Sequence, residues 1–176
     1  MKQHAFSTFD KMKALAIVNI FETSKPYGSY ASLAVLNDGA GISFGINQFT
    51  HRSGSLLAVI EGYLERGGLV GREVIESRLP LLQKTTSAAI ETLAADTRFR
   101  KAIQAAAITA EMRAAQEHVA FEKYLKPAIE ACEGSQFVLP LSLAVVYDSI
   151  THGSWERFRD SVSPKLDEKA WITEYV

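Results

Sequence analysis

One cysteine in 176 residues, Cys132, has no partner for an intramolecular disulfide, and a thiolate-based zinc site is excluded with it. A small buried hydrophobe is the role it is left with. Charge of one sign is also lacking: 19 Lys and Arg stand against 20 Asp and Glu, a formal net charge of −1. No global field therefore binds the chain to nucleic acid or an anionic membrane, and a polyionic partner must be gripped locally. Histidines number four, at positions 4, 51, 118 and 152, without metal-ligand spacing, so neither metal nor cofactor is expected. No apolar run approaches the roughly 18 to 20 residues that span a bilayer, so no integral membrane segment is expected.

The stretch after Met1-Lys2-Gln3-His4 is interrupted by Asp10, Lys11 and Lys13 and does not read as a signal peptide. Localisation is left open, and release or delivery by a non-classical route would account for action outside the cell. No internal repeat, low-complexity tract or long linker occurs, and one domain over residues 1–176 is the expectation. Further domains in a longer chain and an immunity protein are partners left open.

Ser7 and Asp10 read as a helix start, and Phe9, Met12, Leu15, Ile17, Val18, Ile20 and Phe21 give an apolar face broad enough to be buried. The helix should end near Thr23, which puts Glu22 in its last turn, where the carbonyl ends disfavour another negative charge. Ser32–Leu36 and Ile42–Phe49 read as strands of a small antiparallel hairpin or sheet near residues 32–49, with Asp38 of Asn37-Asp38-Gly39 at the tip.

Beyond it the pattern is helical: Ser55–Arg66, Arg72–Arg78 stopping at Pro80, and Ser87–Ala95. Thr97 to about His118 follows as a long central helix with Phe99, Ile103, Ala106, Ala107, Ala110 and Ala114 inward. Further helices cover Phe121–Cys132 with a kink or break at Pro127, Leu141–Thr151, Trp155–Val162, and Leu166 onward. The pattern Trp171–Val176 carries no stop signal and reads as a last helix cut short. The fold class is mainly α (α+β).

Metal-free hydrolysis of a glycosidic bond needs one carboxylic acid to protonate the leaving oxygen and one carboxylate to activate water or attack. Glu22 and Asp38 are candidates for the two; by spacing alone, a surface glutamate and a turn-forming aspartate are the better fit, because such pairs arise by chance in most chains.

Asp38-Gly39-Ala40-Gly41-Ile42-Ser43-Phe44-Gly45-Ile46-Asn47-Gln48-Phe49 resembles the D-G-x-G-x-T-x-G-I-x-x-F segment of chitosanases of glycoside hydrolase family 46. Asp96-Thr97-Arg98-Phe99 with Ala102 and Gln104, then Tyr124 and Pro127-Ala128, is similar to that family's central helix and the segment after it. Tyr147-Asp148-Ser149-Ile150-Thr151-His152-Gly153 resembles its Y-D-x-x-x-x-H-G helix end, one residue shorter. The resemblance spans roughly residues 10 to 155.

It implies a lysozyme-like two-lobe fold, a helical lobe and a small β-containing lobe joined by a long helix, with the cleft between. It implies Glu22 as general acid, Asp38 as general base and Ser43 as the hydroxyl that helps hold the attacking water. The reaction would be inverting, with carboxyls roughly 6.5 to 9.5 Å apart. An apolar setting beside Phe21 and the helix end would both keep the Glu22 carboxyl uncharged.

Asp148 matches an aspartate that the family pairs with arginines behind the acid, here Arg100, Arg113 or a residue beyond Val176; helix capping near Gly153 is the other reading. His152 is a sugar contact or a histidine favoured by a helix end. Tyr30, Asn47 and Gln48 are candidate sugar contacts.

The sequence departs from the family where an acidic residue would hold a cationic sugar: the aligned position is Ser55, in the neutral-to-basic loop Thr50–Ser55. A polycation is disfavoured there. The expected substrate is bacterial peptidoglycan, cut at β-1,4 bonds by a muramidase-like, antibacterial enzyme. Chitosan is the alternative, and a non-catalytic carbohydrate-binding domain the second alternative.

Overall fold

The computed structural model describes residues 6–176; the Met1–His4 stretch, with the reading placed on it and on His4, lies outside them. The element order is α1 Thr8–Thr23, β1 Leu33–Leu36, β2 Gly41–Phe44, β3 Phe49–Thr50, α2 Ser55–Glu65, α3 Arg72–Leu82, α4 Ser87–Ala95, α5 Thr97–Ala106 and α6 Ala110–Ala120. A π-helical turn, Phe121–Leu125, follows, then α7 Lys126–Gly134, α8 Pro140–Thr151, α9 Trp155–Phe158, a 3₁₀ turn Arg159–Ser161 and α10 Glu168–Tyr175. The chain divides into two compact units, one formed by the residues up to Tyr27 with Phe121–Val176, the other by Gly28–Ala120. Among the described residues no helix is long and apolar enough to cross a membrane.

The first unit is helical throughout. Its opening helix starts as the sequence predicts: Ser7 Oγ accepts from Asp10 N at 3.2 Å, and Asp10 Oδ2 accepts from Ser7 N at 3.1 Å. It ends at Ser24, in the left-handed conformation with φ 57°. α8 packs against α1, α7, α9 and α10. Phe6, Ala14, Leu143, Val146, Trp155 and Trp171 belong to the core they form. Trp171 stacks on Tyr175 with ring centroids 5.1 Å apart. Cys132 is fully buried there, and burial pushes its thiol pKa up to about 12.

The broad buried face expected of α1 is not found. Ala14 is fully buried and Leu15, Ile17 and Val18 pack against the core, whereas Phe9, Met12, Ile20 and Phe21 are exposed, Phe21 by 85%. A helix on the surface of a core turns only one stripe inward, and these residues lie outside it. Phe21 beside Glu22 therefore faces largely to solvent and is not part of the buried core.

The second unit packs α2 against α6, β3 and α3, α3 against α4 and α5, and α4 against β2. The sheet is antiparallel in the order β1-β2-β3, with Leu36 opposite Gly41, Leu33 opposite Phe44 and Ser43 opposite Thr50. All four residues of β2 are buried. The second predicted strand is split by a turn at Gly45–Gln48, so Asn47 and Gln48 lie in a turn and not on a strand.

Several helices differ from expectation: Phe121–Cys132 opens as a π-helical turn before α7, Trp155–Val162 is the short α9 and a 3₁₀ turn, and two differences have a clear local cause. α3 runs through Pro80 to Leu82. A proline inside a helix costs about 3 kcal/mol, and the burial of Leu82, which is 1% exposed, returns roughly 1.5 to 3 kcal/mol. The Leu79 carbonyl then accepts from Gln83 N at 2.9 Å, closing the last turn.

The long central helix is two helices. Thr109 donates its hydroxyl to the Ala106 carbonyl at 2.8 Å and accepts from Met112 N at 3.2 Å, ending one helix while capping the next. The break resets the helical phase, so Met112, Ala115, Gln116 and Val119 face inward while Ala110 and Ala114 are exposed. At α5, Asp96 is the cap: Oδ1 accepts from Arg98 N and Phe99 N at 2.9 and 3.0 Å, and Oδ2 accepts from Arg78 Nε at 2.6 Å.

Candidate active site

Asp38 lies in the turn between β1 and β2, where the sequence puts it. Its Oδ1 accepts from Ala40 N at 2.9 Å, an Asx turn that uses one carboxylate oxygen and leaves Oδ2 without a partner in that turn. The turn is held from outside itself: Arg52 N donates to the Ala40 carbonyl at 3.2 Å and Arg52 Nε to the Gly39 carbonyl at 2.6 Å.

Ser43, on β2, is 2% exposed and donates its hydroxyl to Gln48 Oε1 at 2.8 Å. Gln48 Nε2 in turn donates to the Gly45 carbonyl at 2.9 Å. Both side chains fold the Gly45–Gln48 turn onto itself. Gln48 takes φ 49°, and Asn47 is half-buried beside it.

Gln116 ties this turn to the segment that carries Tyr30. Fully buried on α6, it accepts from Ile46 N at 3.0 Å and donates Nε2 to the Tyr30 carbonyl at 2.9 Å. Gly45, at φ 82°, backs onto it; a Cβ there would collide with Gln116 Oε1. Tyr30 OH donates to Glu117 Oε1 at 2.5 Å, and the Arg113 guanidinium lies over its ring at 5.4 Å. Burial first, then that bond to a carboxylate, push the Tyr30 pKa up to about 12. Sequence reasoning missed Gln116. The available signal was a polar residue at the helical phase shared by Met112, Ala115 and Val119.

Ser55 opens α2 and is 1% exposed. Its hydroxyl accepts from Thr50 N at 2.9 Å and lies 2.8 Å from Ser53 Oγ, closing the Thr50–Ser55 loop. His51 in the same loop is fully buried, with Nε2 3.0 Å from the Lys84 carbonyl, and burial lowers its pKa.

In the first unit, Glu22 sits at the end of α1 with its side chain 45% exposed. His152 caps α8, and its Nε2 lies 3.1 Å from Glu22 Oε1 and 3.4 Å from Asp148 Oδ1. With its proton on Nε2, one imidazole faces both carboxylates. His152 thus neighbours Asp148, a contact that is ionic only while the imidazole is protonated, and the Arg113 guanidinium lies over Tyr30.

The same three residues offer ligand atoms within 4.8 Å of one another, a donor set that spacing in the sequence did not reveal because Glu22 and His152 are 130 positions apart. Beside the trio an apolar pocket is lined by Ile17, Val18, Phe21, Leu141 and Val145, with Asp148 at its polar side.

The geometry above occurs in a chain whose relatives are identifiable. Residues 16–171 match the model of glycosyl hydrolase family 46. A chitosanase of Bacillus subtilis strain 168 is 27% identical over 94% of this chain; the chain spans 64% of that relative's length.

Among solved structures, the native chitosanase of Bacillus subtilis MY002 is similar with a TM-score of 0.82 at 25% identity, covering 97% of this chain and 76% of that one. A family 46 chitosanase of Gynuella sunshinyii, solved with chitotetraose, gives 0.82 at 24% identity over 97% of this chain and 75% of that one. The fold is therefore the lysozyme-like one of these enzymes, mostly helical with a small three-stranded antiparallel sheet. The chain belongs to glycosyl hydrolase family 46.

Proposed function

We propose that this chain hydrolyses the β-1,4 glycosidic bonds of chitosan, with Glu22 as general acid and Asp38 as general base. The observation that carries the reading is the match to family 46 over residues 16–171, a span that includes both Glu22 and Asp38, the two carboxylates the chemistry would use. The relatives named above are chitosanases, which supports chitosan ahead of peptidoglycan as the substrate. The local supports favour the same roles. Asp38 is fixed by its Asx turn with one oxygen left to take a proton from water. Glu22 has an imidazole at 3.1 Å that orients its carboxyl and can return a proton to it after each turnover.

In the proposed inverting cycle, Glu22 protonates the leaving glycosidic oxygen while Asp38 deprotonates the attacking water; Asp38 then loses its proton to solvent, and Glu22 regains one from solvent through the His152 imidazole. The water-holding role carried over to Ser43 has weak local support, because that hydroxyl is donated to Gln48 and nearly buried. Its contribution is to hold the Gly45–Gln48 turn.

A second reading, cleavage of an N-acetylated and anionic wall polymer, is favoured by one observation. The Thr50–Ser55 loop holds no carboxylate and presents Arg52 to solvent.

The test is a side-by-side assay of reducing ends from chitosan and clearing of bacterial walls, with Glu22→Gln and Asp38→Asn alongside. Release from chitosan as the α-anomer, reduced at least a hundredfold in either variant, is the expected result. Clearing of walls without action on chitosan would move the substrate to peptidoglycan. Binding of either polymer by a wild type that cleaves neither would leave a carbohydrate-binding domain.

A further inference from the structure

The Asx turn is not all that holds Asp38. The turn that carries it has one internal side-chain bond, Ala40 N to Asp38 Oδ1, and two contacts from a residue on another segment. Arg52 donates its backbone N–H to the Ala40 carbonyl at 3.2 Å and its Nε–H to the Gly39 carbonyl at 2.6 Å. These are consecutive carbonyls, immediately after Asp38. The backbone bond anchors Arg52 beside the turn, and the guanidinium lies across it.

Gly39 makes this possible. It takes φ 82°, and a Cβ there would stand 3.0 Å from Arg52 Nη2, so the guanidinium occupies the space a side chain would fill. Arg52 is exposed, which makes its charge unnecessary for packing. Its own segment is fixed from below by His51, buried and held at the Lys84 carbonyl, and by the Thr50–Ser53–Ser55 hydroxyl set. A rigid base thus supports a clamp on a glycine-flanked turn.

We propose that Arg52 is a positioning residue for the base, a clamp that fixes the Asp38 turn through the Gly39 carbonyl. The inference rests on the reading of Asp38 as the base. A guanidinium suits the task because its Nε–H is directed by a planar group, whereas a lysine ammonium is a flexible point charge. A displacement of the base near 1 Å costs on the order of a hundredfold in rate.

The experiment compares Arg52→Ala and Arg52→Lys with the wild type, alone and in the Asp38→Asn background. Expected is a 10- to 100-fold fall in kcat on chitosan for Arg52→Ala with KM within about threefold, partial recovery by added guanidinium, and little recovery in Arg52→Lys. In the Asp38→Asn background Arg52→Ala has no further effect, because the residue acts through that carboxylate.

Amide hydrogen exchange at Ala40, read by NMR on the full chain, is independent of turnover and should quicken at least tenfold in Arg52→Ala while α2 and α6 are unchanged. Unchanged exchange at Ala40, or an equal fall in kcat with and without Asp38, overturns the clamp. A wild type inactive on both polymers overturns the functional reading while the exchange measurement still decides the clamp.

Discussion

Replacing Gln116 by leucine should cost the second unit about 2–4 kcal/mol, because it strips two backbone groups of their partners at once. The Ile46 N–H and the Tyr30 carbonyl both meet the Gln116 amide, at 3.0 and 2.9 Å, and both lie in part-buried surroundings. Leaving such a group unsatisfied costs about 1–3 kcal/mol each, and the part-burial places these at the lower half of that range. A leucine of similar size offers neither donor nor acceptor, and it must also fit against Gly45, whose backbone touches the amide.

For a chain of this length each kcal/mol moves Tm by about 2–4 °C, so a 3 kcal/mol loss lowers it by roughly 6–12 °C. The assay is thermal unfolding followed by far-ultraviolet circular dichroism, because both tryptophans, Trp155 and Trp171, lie in the first unit. Gln116→Glu, which keeps an acceptor for Ile46 but loses the donor to Tyr30, should fall between the two. A loss below about 1 kcal/mol for Gln116→Leu would refute the view that this one amide joins the two segments.

Two further outcomes are expected. The Arg78 hydrogen bond, with help from the Phe99 N–H, holds the Asp96 carboxyl below the usual carboxylate range. The stability it contributes is therefore present above the ordinary aspartate pKa of about 3.9 and is lost as pH falls through the lowered folded value. Asp96→Asn should thus destabilise by about 1–2 kcal/mol at pH 6, and the difference from wild type should shrink toward zero by pH 2 in thermal melts; a constant difference across that range sinks the assignment. His152→Ala, which leaves the Glu22 and Asp148 carboxylates facing each other without the imidazole, should lower kcat on chitosan about tenfold with KM little changed, and unaltered steady-state kinetics would remove His152 from the acid's support.

Local chemistry was legible in the chain. The Ser7–Asp10 box, the Asn37-Asp38-Gly39 turn and α4 fall where the sequence puts them, because capping and turn formation depend on residues within three or four positions of one another. Pattern alone misled where a local signal competed with tertiary burial: Pro80 reads as a stop, yet α3 passes through it to bury Leu82. A single cap at Thr109 outweighed a run of good helix formers and divided the expected central helix.

The candidate site divides along the same line. Asp38 and Ser43 could be named from the segment that resembles family 46, and Glu22 from its place ahead of that segment, since a motif is a linear object. What surrounds them could not. The imidazole at Glu22 comes from 130 residues away, the amide behind the Gly45–Gln48 turn from α6, and the guanidinium on the Asp38 turn from beyond β3. The sequence by itself determined which residues can give or take a proton, because that is a property of the side chain. Only the tertiary structure decided which neighbours fix them, because a hydrogen bond depends on distance and angle between atoms that the chain order leaves far apart.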